Sequence, residues 1–600
     1  MKFLLAWFLA VAPVSAQTLL SNCTEENLRN AVAQGGVIQF DCTTEIVLTS
    51  PLVIEQDVTL EGTNAAVALS GNNLTRLFIV RPGVSLTLRS IGLFSGQMSA
   101  TNLNNGGIAE MAGAAIYNDG GNVTLFNVTI RNHAINGSNG REGQVTLEGT
   151  GENGGNGESV KGGAIYSRNG TVNLELCDVE LNTIIAGNGG KGANGQVRGN
   201  GNDGGNGGSG GSAQGGAIYM EDGMLSIINC SFGTNKVTGG TAGLGGSGSG
   251  LLGFNGTPGQ AGAAMGGAIY VNSGVVAIYG STINANVIIG GNGAGGLPGL
   301  RAEEGFDATG GGTVMGAGIF NGGSLFATNS TIYGNSGTGG TGASGGAGGA
   351  GSFGGDGGNG GNGGSALGGG IYNSLTAFLN HCTVANNTVT AGQGGAAGAG
   401  GGVLGEAGQA GSAGVRAGAN LNNQGTEFRL ANSIINQGTG GNGQGTFVDL
   451  GGNISNDTTI SLNHSTSLPN ADPRLRTLAN NGGPTLTAAL ATNSPAIDKG
   501  NPAFCLTLDQ RGTNRVANCD IGAYELFNPI LTNQLTASLQ TNQLVLSWDK
   551  ALNVDLERST NLSLTNWTTA SPTRTTNGNT VTVKTTTTNL PAAFYRLRKK

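Results

Sequence analysis

Apolar and polar residues alternate in short stretches that recur through the middle of the chain at intervals of 49 to 53 residues. The clearest marker is Gly-Gly-Ala-Ile-Tyr at 162–166, 215–219 and 266–270, with close variants ending at Tyr117, Phe320 and Tyr372 and a degenerate copy ending near Leu421. Repetition at a fixed interval is typical of solenoids, in which each repeat packs on its neighbours.

Three apolar columns run through the seven repeats. In the repeat that contains Cys230 they are Leu225, Ile227 and Phe232, and every other repeat has apolar residues at the same three positions. The period of two between the first two columns predicts β-strand. Because the same residue class returns in register, we expect an all-β right-handed parallel β-helix whose columns stack into one core.

Each repeat has a small or medium-sized residue at the position that Cys230 occupies in its own repeat. Five positions after it lies a polar column. It contains Asn182, Asn235, Asn286, Asn335 and Asn387, with His133 and Gly438 at its two ends. Asparagine tolerates left-handed backbone angles, and stacked amides hydrogen-bond from copy to copy. The column therefore predicts a structural asparagine ladder at one turn of each coil.

The aromatic residues of the marker form another column: Tyr117, Tyr166, Tyr219, Tyr270, Phe320 and Tyr372. We favour a corner stack that seals the core. The alternative is an exposed platform on which sugars stack.

Glycine-dense inserts such as 187–211 and 337–364 separate the repeats. Glycine accounts for 116 of 600 residues, whereas charged residues make up only 10%, which argues against a disordered chain. Because the inserts lack apolar columns, we favour projecting loops over extra coils. Loops would place Cys177 and Cys230 on adjacent coils, within reach of a disulfide. We nevertheless favour buried thiols for these two residues and for Cys382.

The N-terminus indicates export. Residues 1–16 resemble a signal peptide, with Lys2, an apolar run and small residues before Gln17. No later stretch is apolar and long enough to span a membrane, so we expect a secreted or cell-surface protein.

Residues 17–110 form the N-terminal cap and first coils, in which 24–34 is an amphipathic helix. The disulfide candidates are Cys23 with Cys42 and Cys505 with Cys519.

Residues 471–527 follow the glycine-rich repeats of 111–470. They contain Asp472-Pro473-Arg474-Leu475, Asn481-Gly482-Gly483-Pro484-Thr485, Asp509-Gln510-Arg511-Gly512 and Asp520-Ile521-Gly522-Ala523-Tyr524-Glu525. This series resembles the choice-of-anchor Q domain of bacterial surface and secreted β-helix proteins, which share the pectin-lyase-like fold. The resemblance implies an architecture and no reaction. Residues 530–600 are similar to a small fibronectin-like β-sandwich. We favour Trp548 and Trp567 as core residues, and the alternative is an exposed tryptophan that binds carbohydrate.

No catalytic or metal constellation is evident. Carboxylates do not stack in matching columns, His133 and His381 replace asparagines, and His464 is isolated. Asp203 and Asp356 are too few for a calcium-binding glycine repeat, and we expect no cofactor. The net charge of −7 argues against nucleic-acid binding.

We therefore expect a non-catalytic adhesion or surface-interaction protein, whose partners are polysaccharides or cell-surface and matrix components. The alternative is a polysaccharide lyase or glycoside hydrolase with its site in the inserts.

Overall fold

The computed structural model describes residues 17–99, 110–198, 201–250, 252–351, 353–516 and 518–526, and parts of 535–599 (535–540, 543–549, 554–559, 567–570, 573–577, 580–586 and 594–599). The expected signal peptide of residues 1–16 lies outside these ranges. The chain divides into two compact units, Met1–Glu525 and Leu526–Lys600.

The first unit is built from long stacks of parallel strands, and three sheets named A, B and C carry its main core. Sheet A contains Gln17–Leu20, Gly36–Phe40, Val58–Glu61, Ser85–Arg89, Asn122–Phe126, Gly170–Glu175, Gly223–Ile228, Val275–Tyr279, Ser324–Thr328, Thr376–Asn380, Glu427–Ala431 and Val448–Asp449. Sheet B contains Thr44–Val47, Val67–Ser70, Ile91–Phe94, Thr129–Arg131, Asp178–Glu180, Ser231–Gly233, Thr282–Asn284, Thr331–Tyr333, Thr383–Ala385, Ile434–Asn436 and Ile454–Ser455. Sheet C contains Leu52–Ile54, Phe78–Val80, Ile116–Asp119, Ile165–Arg168, Ile218–Met220, Ile269–Val271, Ile319–Asn321, Ile371–Asn373, Leu421–Asn423 and Gly443–Gln444.

Two further parallel sheets, D and E, flank the glycine-rich inserts. Sheet D contains Gln97–Ser99, Ala134–Asn136, Thr183–Ile185, Lys236–Thr238, Val287–Ile289, Ser336–Thr338 and Thr388–Thr390. Sheet E contains Val160–Lys161, Ala213–Gln214, Ala264–Met265, Val314–Met315, Ala366–Leu367 and Arg416–Ala417. A typical repeat thus passes through sheets E, C, A, B and D in turn.

The repeat register predicted from the sequence is confirmed. Val172 pairs with Leu225, and Leu225 pairs with Val276, each exactly one repeat on, so like residues stack on like. Every residue of the three apolar columns lies in one buried cluster that extends from Leu20 to Leu462. Stacking identical columns removes them from water continuously along the solenoid, which is the main source of its stability.

An α-helix at Glu25–Gln34 connects the first two strands of sheet A, Gln17–Leu20 and Gly36–Phe40. Thr24 caps it by accepting the Asn27 N–H at 3.2 Å. Leu28, Ala31 and Val32 are buried, as the amphipathic pattern predicted.

Residues with positive φ recur at the same position in successive repeats, but this position is not the asparagine column that the sequence led us to expect. The ladder asparagines do not have positive φ; the residue before each does, as at Leu181 (58°), Thr234 (56°) and Ala285 (54°). A second left-handed column contains Asn127, Asn229, Asn329, His381 and Asn432. The ladder asparagines are therefore selected for their amide hydrogen bonds and not for their backbone angles.

Residues after the last repeat turn back along the first unit. A hairpin of Leu475–Ala479 and Thr487–Leu490 is followed by a 3-10 helix at Pro502–Phe504. Thr485 donates to the carbonyl of Gly280, more than 200 residues earlier. We call residues 472–525 the strap.

The second unit consists of two antiparallel sheets. One contains Thr536–Gln540, Gln543–Asp549, Thr580–Thr586 and Arg574–Asn577, and the other contains Thr568–Thr569, Val554–Ser559 and Phe594–Lys599. Leu546, Trp548, Val554, Leu556 and Val583 form its buried core. Trp567 is half-buried beside the guanidinium of Arg596.

Candidate functional site

Six glycine-rich inserts leave the first unit at the same place in successive repeats, each between a strand of sheet D and the next strand of sheet E. Inserts 1 to 6 are residues 137–159, 186–212, 239–263, 290–313, 339–365 and 391–415. Each runs outward, turns, and runs back, so it has an outgoing and a returning segment.

Hydrogen bonds join these segments with a period of three residues. In the returning segment of insert 2, Gly205, Gly208 and Gly211 donate to carbonyls of the outgoing segment of the same insert. The preceding glycines, at 204, 207 and 210, donate to Phe254, Thr257 and Gln260 of insert 3, each at 2.8 Å. A period of three is that of the polyproline II conformation, which makes no hydrogen bonds within a segment. The inserts thus form a two-layered lattice.

Glycine is required because the segments approach each other too closely for side chains. A Cβ on Gly208 would lie 1.8 Å from the carbonyl oxygen of Gly155, and one on Gly204 would lie 2.0 Å from that of Gly246. Only the third residue of each triplet points outward. Most of these positions carry polar side chains, and Asn188 accepts the Thr241 N–H of the next insert at 2.9 Å.

The inserts are therefore neither of the two arrangements considered from sequence. They project from one edge, as loops would, but they are ordered by hydrogen bonds between segments about 50 residues apart in the chain. They contribute no strands to the main core. Cys177 and Cys230 consequently lie on adjacent repeats, and the Cys177 N–H donates to the Cys230 sulfur at 3.3 Å.

The lattice is interrupted between inserts 3 and 4. In insert 3 the positions of Gly204, Gly207 and Gly210 are taken by Asn255, Pro258 and Ala261. Within the described ranges, none of these three donates a backbone hydrogen bond to insert 4. Between inserts 4 and 5 the pattern resumes, with Gly305, Ala308 and Gly311 donating to Asp356, Asn359 and Asn362.

Insert 4 also lacks glycine at internal lattice positions that face insert 3. Phe306 and Thr309 stand where insert 3 has Gly256 and Gly259. Ala294, whose counterpart Gly243 donates to insert 2, donates instead to Thr309 Oγ1 of its own insert at 2.9 Å. On both inserts, side chains thus stand at positions where the lattice has glycine, and the lattice hydrogen bonds between the returning segments are missing here.

A surface groove of about 890 Å³ lies between inserts 3 and 4, where these lattice hydrogen bonds are missing. Its lining residues are Phe254, Thr257, Pro258, Gln260 and the segment 302–309. Glu303, Glu304 and Asp307 give it three carboxylates, and its lining contains no lysine, arginine or histidine. Near the base the two inserts stay joined, because Ala242 donates to the Asn292 carbonyl at 2.9 Å and Gly291 donates to the Gly262 carbonyl at 3.0 Å. Side chains also bridge them: Asn255 Nδ2 donates to the Pro298 carbonyl at 2.7 Å, and Arg301 donates to that of Gly250 at 2.9 Å. The groove is therefore acidic, with aromatic side chains on both walls.

The distal turns of the inserts expose large apolar side chains. Nine large hydrophobic side chains of the described residues are at least 60% exposed, and seven of them lie at these turns. The seven are Leu147, Val197, Leu252, Phe254, Phe353, Val403 and Leu404, of which Leu147 is 91% exposed. We call them the tip residues. Exposed apolar side chains that recur at the distal turns of several inserts are unlike ordinary scattered surface hydrophobics.

The asparagine column is buried within the first unit and lies outside the inserts. The amides of Asn182, Asn235, Asn286, Asn335 and Asn387 each donate to the next ladder residue at 2.8–2.9 Å. Asn420 and Asn442 continue the series in place of Gly438. All five predicted asparagines are fully buried, so they serve the fold and do not reach a ligand.

The aromatic column forms a continuous stack on the outer side of sheet C. Tyr117, Tyr166, Tyr219, Tyr270, Phe320 and Tyr372 have ring centroids 4.5–5.4 Å apart. The first four are buried, and burial raises the pKa of each hydroxyl. Ring faces within the stack cover one another, which favours the sealing role over stacking with sugars.

The cysteines fall into two groups. Disulfides join Cys23 to Cys42 and Cys505 to Cys519. The thiols of Cys177, Cys230 and Cys382 are free and buried. Burial raises the pKa of Cys382 to about 12, so it stays a thiol at neutral pH.

The histidines have structural partners. His133 accepts the Gly96 N–H at Nδ1 (2.9 Å) and lies 3.0 Å from the Leu93 carbonyl through Nε2. His381 contacts Asn432 and the Gly522 carbonyl. His381 lies close to Cys505 and Cys519, but the disulfide between those cysteines removes both sulfurs as metal ligands.

The motif residues of the strap hold it against the repeats. Gln510 accepts a hydrogen bond from Thr331 at 2.6 Å and donates to Thr282 and Thr485, both at 2.9 Å. Arg515 forms a buried ion pair with Glu525 at 3.0 Å. These polar side chains therefore fasten the strap to the repeats and to itself.

No protein-family model matches the chain, and neither a curated protein nor a solved structure matches it. The resemblance of the strap to the choice-of-anchor Q domain stays a prediction. Within the described residues, no helix has the length and apolarity needed to cross a membrane.

Proposed function

We propose that this protein is a non-catalytic, secreted or cell-surface right-handed parallel β-helix of the choice-of-anchor Q type, and that it attaches to surfaces through the tip residues. One observation carries the proposal. Seven large apolar side chains are exposed at the distal turns of the inserts, where the lattice holds them away from the core. Contiguous exposed apolar residues mark interaction surfaces.

The lattice supports this role because it makes a projecting arm stiff. Glycines such as Gly205, Gly208 and Gly211 are fixed by hydrogen bonds to neighbouring segments, so little conformational entropy is lost when a tip binds. Two disulfides suit an oxidising, extracellular environment. Partners would be polysaccharides or cell-surface and matrix components.

The test compares wild-type protein with a tip variant on immobilised acidic polysaccharides, neutral polysaccharides and matrix proteins. The tip variant combines Leu147→Ser, Val197→Ser, Phe353→Ser and Val403→Ser. Its control combines Leu19→Ser, Val47→Ser, Leu74→Ser and Leu181→Ser, which are also exposed but lie elsewhere. We expect the tip variant to bind at least about tenfold more weakly to whichever surface retains the wild type, and the control to bind normally.

Product analysis decides between attachment and the alternative of a lyase or hydrolase. Release of unsaturated or reducing ends from any polysaccharide would overturn the non-catalytic proposal. Equal binding by the tip variant and the wild type would overturn the role of the tips.

A further inference from the structure

The interruption leaves backbone groups of inserts 3 and 4 without lattice partners. In the lining of the groove these are the carbonyls of Glu304 and Asp307, whose counterparts Phe254 and Thr257 each accept a lattice hydrogen bond. Beside the lining they are the carbonyl of Gly310 and the N–H groups of Asn255 and Ala261, which follow the lining residues Phe254 and Gln260 in the chain. Within the described ranges none of these groups has a backbone partner. Unpaired backbone groups of this kind resemble the open edges to which an extended peptide adds.

The groove has the size of a peptide segment. It follows residues 254–260, which span about 20 Å at the rise of the polyproline II conformation. An extended peptide covers that length with about six residues. A volume of about 890 Å³ is far more than a single ion occupies and lies in the range of ligand sites.

The charge of the groove selects a cationic occupant. Asp307 holds the Asn359 N–H with Oδ1 at 2.6 Å, a task that neutral Asn153 and Asn206 perform at the same position in inserts 1 and 2. The lattice therefore needs the oxygen of Asp307 but not its charge. With Glu303 and Glu304 alongside, the groove concentrates negative charge. The guanidinium of Arg301, just outside, is engaged with the Gly250 carbonyl.

From these observations we infer that the groove binds an extended, cationic peptide segment of a partner protein, which completes the interrupted lattice. Backbone hydrogen bonds pair the segment with the free groups of inserts 3 and 4. Its lysine or arginine side chains pair with Glu303, Glu304 and Asp307, and its apolar side chains pack on Phe254 and Phe306. This inference deepens the proposed attachment function and rests on it.

The test uses the full chain and a fluorescent peptide of three Gly-Lys-Leu triplets, with a Gly-Glu-Leu peptide as its charge-reversed counterpart. We expect saturable binding of the first peptide only. The variant Glu303→Gln/Glu304→Gln/Asp307→Asn should bind at least about tenfold more weakly, because each exposed ion pair contributes modestly and three are lost. The matched control Asp41→Asn/Glu45→Gln/Glu55→Gln removes three exposed carboxylates elsewhere and should bind normally.

A second variant tests the geometry independently of charge. Asn255→Gly/Pro258→Gly/Ala261→Gly/Phe306→Gly restores the glycine lattice, so it should close the groove and abolish peptide binding while the protein stays folded. Equal binding of the two peptides, unchanged binding by the carboxylate variant, or preference for a neutral oligosaccharide would each overturn the inference. Surface attachment by the tip residues is measured separately, so loss of peptide binding with attachment intact overturns this inference alone.

Discussion

Pro258 occupies the lattice position from which a glycine N–H would reach the carbonyl oxygen of Asp307, and proline has no N–H to donate. One insert earlier the equivalent pair, Gly207 and Thr257, is joined at 2.8 Å. Pro258 is one of several side chains that replace lattice glycines where a lattice that is continuous through inserts 1 to 3 opens. The predictions below test the lattice, the core ladder, the buried histidine and the strap.

The glycine lattice should not tolerate a methyl group at an internal position. Because the Cβ of Gly208→Ala would lie 1.8 Å from the Gly155 carbonyl oxygen, insert 2 must shift. We expect a loss of about 1–3 kcal/mol in the free energy of unfolding, measured by urea titration. Lys191→Ala, at an exposed outward position of the same insert, should change it by less than about 0.5 kcal/mol. Equal effects of the two substitutions would show that the segments are not closely packed.

Substitution of an asparagine at the centre of the ladder should lower the free energy of unfolding. Asn286→Ala removes the oxygen that accepts from both Asn235 Nδ2 (2.9 Å) and the Asn235 backbone N–H (3.0 Å), which leaves two buried N–H groups without that acceptor. We expect a loss of about 2–4 kcal/mol. The control Asn292→Ala, which removes an exposed acceptor in insert 4, should cost less than about 1 kcal/mol. Thermal unfolding of the three proteins gives the comparison, and similar midpoints for all three would contradict the ladder's role.

Acid should destabilise the protein partly through His133. Burial lowers its pKa to about 4 from 6.5, so the folded state holds the imidazole neutral. Its contribution is complete above about pH 6.5 and is lost as the pH falls through 4, by up to about 3 kcal/mol. His133→Asn introduces the asparagine found at this position in most other repeats. The free energy of unfolding of this variant should therefore fall less steeply between about pH 6.5 and pH 4. An unchanged pH profile would mean that other groups govern acid unfolding.

The strap should detach when its central glutamine is lost. Gln510→Ala removes hydrogen bonds to Thr282, Thr331 and Thr485 within a buried site. We expect faster proteolytic cleavage within residues 472–525, because local opening becomes less costly. Gln393→Ala, an exposed glutamine of insert 6, should leave the cleavage pattern unchanged. Cleavage in other regions first would indicate that the strap is held by other contacts.

The features that repeat with the two-residue period of strands could be predicted from the sequence. Leu225, Ile227 and Phe232 predicted the core because strand side chains alternate and repeats stack in register. The amide contacts of Asn235 followed from the same register. The left-handed column was placed on the wrong residue, because Leu181 and Thr234 give no signal of their backbone angle.

The lattice and its groove escaped sequence reasoning for a physical reason. Periods of two and 3.6 detect buried side chains, whereas Gly205 and Gly208 pack through their backbones and have no side chain to bury. Aligning the triplets in register would have revealed Pro258 and Phe306 as exceptions. The strap contacts of Gln510 could not be found this way, because they join residues about 180 to 230 positions apart that share no repeat.

The most direct test of the central claim is hydrogen–deuterium exchange of the wild-type protein, free and bound to the surface that retains it. Attachment through the inserts should slow exchange at their distal turns, including residues 145–150 and 402–405, and leave the strands of sheets A, B and C unchanged. Protection confined to those sheets, with the turns exchanging as fast as in the free protein, would contradict attachment through the glycine-rich inserts.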